Sequence, residues 1–187
     1  MTDPAKLRPA RPGRDAYTWQ RVAAPDPELS HFLYRVVGGD WYWLYRIPWS
    51  RERWQAHVDR PELSTWVGYV GGAPAGYGEL EVQAEGAVEI VYFGLLPRRI
   101  GRGLGGTLLT EAVRSAWAMG ARRVWLHTCN LDHPAALPHY QARGFRVFKV
   151  EEHDEEVPAR SPGYWDTSPR ADSDSRQEND HARCGPR

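Results

Sequence analysis

Leu95–Gly106 reads LLPRRIGRGLGG, and the patterns on either side of it decide the fold. An apolar run from Val88 to Leu95, carrying Glu89, leads into this stretch and predicts a strand. Beyond it, Leu104, Leu108, Leu109, Ala112, Val113, Ala116 and Trp117 recur at helical spacing. The stretch is therefore a glycine-rich turn from a strand into a helix. Glycine lacks the Cβ that holds a ligand away from the backbone. The first four N–H groups of a helix have no internal partner, and the helix dipole favours negative charge beside them. A phosphate or pyrophosphate suits such a turn. Arg98, Arg99 and Arg102 add positive charge around it.

Two common phosphate motifs fit poorly. A Walker loop needs Lys-Ser or Lys-Thr after its glycines, and neither follows here. Gly101, Gly103 and Gly106 satisfy G-x-G-x-x-G, but the strand before them reads as part of a hairpin rather than as a first βα unit.

The same stretch resembles the acyl-CoA motif of the GNAT N-acetyltransferase family, Q/R-x-x-G-x-G/A. Ile100, Gly103 and Gly105 hold its fixed positions, with Ile100 where Gln or Arg is usual. A second family element, A-x-x-x-Y followed by G-F, lies in PAALPHYQARGF (Pro134–Phe145) as Ala136, Tyr140, Gly144 and Phe145. The resemblance spans roughly residues 16 to 157. It implies an α/β fold, a mixed and mostly antiparallel sheet of six or seven strands with helices on both faces. It implies acetyl-CoA as co-substrate, no metal, and backbone contacts to the pyrophosphate. The binding residues it implies are Leu95, Arg98, Ile100, Gly101, Arg102, Gly103, Leu104, Gly105, Gly106 and Tyr140.

Composition sets bounds. The 187 residues suit one domain with tails. Lys plus Arg equals Asp plus Glu at 24 each, which gives no global electrostatic case for nucleic acid. No apolar run is long enough to span a bilayer, and the first residues lack a signal core. Cys129 falls in an apolar run and Cys184 in a polar tail, so no disulfide framework is expected and a cytoplasmic location is. The expected domain is 16–157, with a flexible segment at 1–15 and a disordered tail at 158–187 that is rich in Pro, Ser, Asp and Arg.

Within the domain the patterns predict a first strand at Tyr17–Val22 and helices at Pro27–Val37 and Arg51–Arg60, capped by Asp26 and Ser50. Thr65–Val70 and Ala75–Gln83 read as a hairpin across Gly71-Gly72. Further elements are expected at Arg122–Cys129 (strand), Pro134–Ala142 (helix, bent at Pro138) and Phe145–Glu152 (strand).

Acyl transfer to an amine needs a group to take the amine proton, a donor for the oxyanion, and help for the departing thiolate. The segment EIVYFGLLPRRIGRGLG (Glu89–Gly105) resembles the histone-acetylating branch of the family, where the matching glutamate is the base. Glu89 is accordingly the first candidate. Glu79 and Glu81, one residue apart on the same strand face, compete with it. Tyr140 matches the tyrosine near the CoA sulfur and is the candidate acid. The family often has Asn seven residues before it, where this chain has His133. A backbone N–H around Gly94–Leu96, at a β-bulge, is the expected oxyanion donor. His127, Cys129, His133 and His139 follow no standard zinc spacing.

The stretch DWYWLYRIPW (Asp40–Trp49) is dense in aromatics, and in the family this region forms a wall of the acceptor site. Trp41, Trp43 and Tyr45 are the candidate substrate contacts, suited to a flat or cationic amine. The expected partner is a small-molecule amine, with no nucleic acid and no membrane, and a homodimer is an admissible assembly. The alternatives are a peptide or protein N-acetyltransferase and a non-catalytic acyl-CoA sensor.

Overall fold

The computed structural model describes residues 1–11 and 16–164. β1 (Tyr17–Arg21), β2 (Leu63–Val70), β3 (Ala73–Val82) and β4 (Ala87–Leu95) form an antiparallel meander, and β5 (Arg123–Trp125) joins β4 in parallel. The β2–β3 hairpin turns at Gly71 and Gly72, both at positive φ (61° and 78°), the conformation a two-residue hairpin turn demands.

Alternation along the strands sends side chains to two layers. On one face Leu80, Val88 and Ile90 pack with Leu109, Ala112, Val113 and Ala116 of α3 (Leu104–Ala118). On the other, Val67 and Tyr77 pack with Leu33 and Val37 of α1 (Pro27–Gly38). Asp26 caps α1 by accepting the Leu29 N–H at 2.8 Å. Ser50 caps α2 (Arg51–Val58) by accepting the Arg53 N–H at 3.3 Å. Each cap satisfies a donor that the helix leaves open.

Several sequence expectations need correction. Among the described residues the sheet has five strands, and Phe145–Glu152 is not one of them. The outer edge of β5 is taken by the N-terminus: the Met1 ammonium donates to the Val124 carbonyl at 2.5 Å, and the Val124 N–H donates to the Met1 carbonyl at 2.8 Å. Residues 1–11, expected to be flexible, are tied further by Arg8 N–H to the Arg143 carbonyl and by Ala10 N–H to Thr110 Oγ1. α4 runs Ala136–Ala142, so Pro138 sits in its first turn, where a missing N–H costs nothing. Residues 158–164, read from composition as the start of the tail, lie on the end of α1. Ser161 Oγ donates to the Gly39 carbonyl at 2.5 Å, and Tyr164 meets Phe32 edge-on at 5.9 Å. The remaining parts of both expected flexible segments, 12–15 and 165–187, lie outside the described residues.

Candidate active site

The glycine turn ends in an uncapped helix. Gly103, the N-cap of α3, has no side chain to bond the first N–H groups, and it sits at φ 77°, as does Gly101. Positive φ is the reason for glycine at both positions, since a Cβ would meet nothing within 4 Å. Around this first turn lie two buried polar atoms without hydrogen-bond partners, Thr107 Oγ1 and Arg143 Nε, with the His139 ring against Gly105. Open backbone donors and orphaned polar side chains together fit an anionic ligand such as a pyrophosphate. Arg98 and Arg102 stand on the approach to the turn, Ile100 is exposed, and Leu104 is buried in the core.

β4 and β5 pair only from Ala87–Glu89 to Arg123–Trp125 and then part. The gap is lined by Ile90–Phe93 on one side and by Leu126, His127 and Cys129 on the other, and Tyr140 of α4 lines it too. The β3–β4 register shifts so that Glu79 faces Tyr92 while Leu80 faces Ile90, which leaves Val91 as the extra residue. The bulge expected near Gly94–Leu96 thus lies several residues earlier. The Leu96 N–H already donates to the Ala75 carbonyl at 2.9 Å. Strand alternation then turns the Leu95 N–H toward the β5 side, past the end of β5.

A matching family model covers residues 30–145, described as the acetyltransferase (GNAT) family. The chain belongs to the GNAT acetyltransferase family. Solved structures carry the same fold. An aminoglycoside acetyltransferase from an uncultured soil metagenomic sample, in complex with sisomicin, is 14% identical with a TM-score of 0.61, covering 76% of this chain and 96% of its own. The ribosomal-protein-S18-alanine N-acetyltransferase from Escherichia coli is 15% identical with a TM-score of 0.61, covering 78% and 88%. The IAA acetyltransferase from Bacillus cereus is 24% identical with a TM-score of 0.55, covering 73% and 81%. No curated protein matches the chain.

In this GNAT domain the three candidate glutamates share one sheet face but not one environment. Glu79 is fully buried and accepts from Arg46 at 2.7 Å, with His57 Nε2 at 3.3 Å. Burial pushes its carboxyl up, but the Arg46 charge and the bonds from His57 and Arg46 outweigh that and hold it well below the usual carboxylate range. Glu81 pairs with Arg60 at 2.8 Å. Glu89 is held between Gln83 and His127: Gln83 Nε2 donates to Oε2 at 2.5 Å, and His127 Nδ1 lies 2.8 Å from Oε1.

The aromatic segment divides. Trp43 is packed inward against Tyr34, Tyr77 and Tyr92. Trp49, together with Trp54 of α2, surrounds the buried Arg46 guanidinium, whose carbon also sits 4.3 Å from the Tyr92 ring centre. Trp41, Tyr42 and Tyr45 line a cavity of about 130 Å³ that Trp43 also lines. Asp132 and Glu155 reach the same cavity. Tyr140 is buried beside it, and burial, then the charges of Asp132 and Cys129, push its hydroxyl up. Among the described residues no group of three or more His, Cys, Asp or Glu is arranged for a metal.

Sequence reasoning missed Arg46 and His57, whose link to Glu79 crosses more than twenty residues of chain, and Gln83 and Asp132. It weighed His127 only within a metal spacing that it set aside, and did not pair it with Glu89.

Proposed function

We propose that this protein is an acyl-CoA-dependent N-acyltransferase that moves an acetyl group from acetyl-CoA to a primary amine of a small molecule, by direct attack in a ternary complex. The observation that carries this reading is the cavity of about 130 Å³ at the β4–β5 gap, walled by Trp41, Tyr42, Trp43, Tyr45 and Phe93 and carrying the Asp132 and Glu155 carboxylates. Aromatic faces and carboxylates together favour a flat, cationic amine. An arylalkylamine combines these two features.

The first turn of α3 would hold the pyrophosphate of acetyl-CoA through the N–H groups of Leu104, Gly105 and Gly106, with Arg98 and Arg102 alongside. The Leu95 N–H supplies a donor for the developing oxyanion. Tyr140 gives its hydroxyl proton to the departing thiolate. The Glu89–His127 pair supplies the proton acceptor.

A peptide acceptor is the second reading. A groove of about 600 Å³ shares Leu126, His127, Cys129, Asp132 and Tyr140 with the cavity and continues along Phe145–Glu151, with Val147, Phe148 and Val150 exposed. One of the solved structures of the same fold is by its name a ribosomal-protein-S18-alanine N-acetyltransferase. A panel of arylalkylamines, aliphatic amines and short peptides, read by thiol release from acetyl-CoA, separates the readings. Turnover confined to small amines supports the first, and turnover confined to peptides replaces it with the second. Binding of acetyl-CoA without any turnover leaves a sensor.

A further inference from the structure

We infer that His127, rather than Glu89, takes the proton from the attacking amine, and that Glu89 is its positioning residue. The inference rests on the acyltransferase reading above. Its basis is a chain of hydrogen bonds whose directions can be fixed. The Trp125 indole N–H can only donate, and it lies 3.0 Å from Gln83 Oε1. That assigns the Gln83 amide and leaves Nε2 to donate to Glu89 Oε2 at 2.5 Å. Glu89 therefore accepts on one oxygen from Gln83 and on the other from His127 Nδ1 at 2.8 Å. A carboxylate cannot donate, so neutral His127 carries its proton on Nδ1 and keeps the Nε2 lone pair for another partner.

Position separates the two candidates as well. Glu89 is 7% exposed, and its carboxylate oxygens are turned to Gln83 and His127. The His127 side chain is 49% exposed and lines both the aromatic cavity and the adjoining groove. Tyr140 lines the same two spaces, so a base and an acid face one gap.

The transfer balances on these two groups. The amine nitrogen forms a bond to the acyl carbon as the carbon–sulfur bond breaks. The proton shed by nitrogen goes to His127 Nε2, giving an imidazolium that Glu89 stabilises, and the thiolate takes the Tyr140 proton. The hydrogen bond from Glu89 raises the His127 affinity for a proton against its burial, aided by the charges of Glu89, Asp132 and Cys129. Glu89 on β4 bonds His127, and the titratable and charged groups that line the two spaces with it are Tyr34, Tyr42, Tyr45 and Tyr92; Cys129, Asp132 and His133 after β5; Tyr140 on α4; and Arg146, Lys149, Glu151, His153 and Glu155 beyond α4.

The test uses tyramine and acetyl-CoA with the full chain. His127→Gln should lower kcat/KM by about 10²-fold or more and flatten the acidic limb of the pH profile. Added imidazole should restore part of the rate in His127→Ala. Glu89→Gln should lose less and should move the acidic limb to lower pH, a change that a merely structural role would not produce. Nitrogen NMR of His127 reads the pair without turnover: the neutral ring should carry its proton on Nδ1, and Glu89→Gln should lower the pH at which the ring titrates. A near-wild-type rate in His127→Gln overturns the assignment, whether or not Glu89→Gln is inactive. A neutral ring protonated on Nε2 overturns it too. Wild type that releases no thiol with any amine overturns the acyltransferase reading and the catalytic assignment with it, and the NMR result then decides the pairing alone.

Discussion

Arg46 Nη1 lies 2.7 Å from Glu79 Oε2, and both side chains are buried. Each charge is the other's main partner, with His57 beside the carboxylate and aromatic rings around the guanidinium. Arg46→Met or Glu79→Gln should each cost about 3–5 kcal/mol of stability, since either removes the main partner of a buried charge, leaving Glu79 only His57 or Arg46 only its aromatic neighbours. Chemical denaturation measures this, and the double variant Arg46→Met with Glu79→Gln should recover much of the loss. A stable but inactive Glu79→Gln would instead make Glu79 the catalytic base.

The same ion pair sets an acid limit. The Glu79 carboxyl is held below its ordinary range, so its stabilising contribution is full above the unfolded value, about 4.3, and is lost as pH falls through the lower folded value. His127 has the opposite sign: its folded value is raised, so its contribution is full below about 6.5 and fades as pH rises through the folded value. The melting-temperature gap between wild type and Glu89→Gln should accordingly be wider at pH 5.5 than at pH 8.5, on the order of a degree or two, because His127 is half-exposed. An equal gap at both would contradict the pairing.

Much of this architecture is legible in the sequence because local patterns carry it. The caps at Asp26 and Ser50, the Gly71-Gly72 hairpin and the apolar stripe of α3 all specify their own neighbourhoods. The glycine turn declares its helix N-terminus for the same reason. What the sequence hides is pairing over long separations. Nothing local links Arg46 to Glu79 or Glu89 to His127, and strand faces do not reveal which of three glutamates meets an arginine. Phe145–Glu152 has an alternating start, yet the β5 edge is occupied by Met1, 123 residues from its partner Val124.

Replacing Gly103 should separate binding from folding. A side chain there meets empty space but must adopt φ 77°, at about 1–2 kcal/mol. Gly103→Val should therefore fold with a lowered melting temperature and lose the stabilisation that acetyl-CoA gives wild type. Gly105→Leu should lose it as well, because its side chain would press on His139. Thermal shift with and without acetyl-CoA checks both.

Cutting the chain after Val157 should do more than trim a tail. It removes the Ser161 and Gly163 bonds to the Gly39 carbonyl and the Tyr164–Phe32 contact. It also frees Tyr42, whose N–H donates to Ser161 Oγ at 3.3 Å and whose ring lines the acceptor cavity. The truncated protein should melt a few degrees lower, for a loss of roughly 1–2 kcal/mol, and should show a higher KM for the amine with acetyl-CoA binding retained. Unchanged melting and KM would show that these contacts carry no weight.

The most direct measurement mixes wild type with acetyl-CoA and an arylalkylamine and follows free thiol and product mass together. One thiol should be released for each amine that becomes one acetyl group heavier, with no acetylated form of the protein along the way. Absence of both thiol release and acetyl-CoA binding would contradict it.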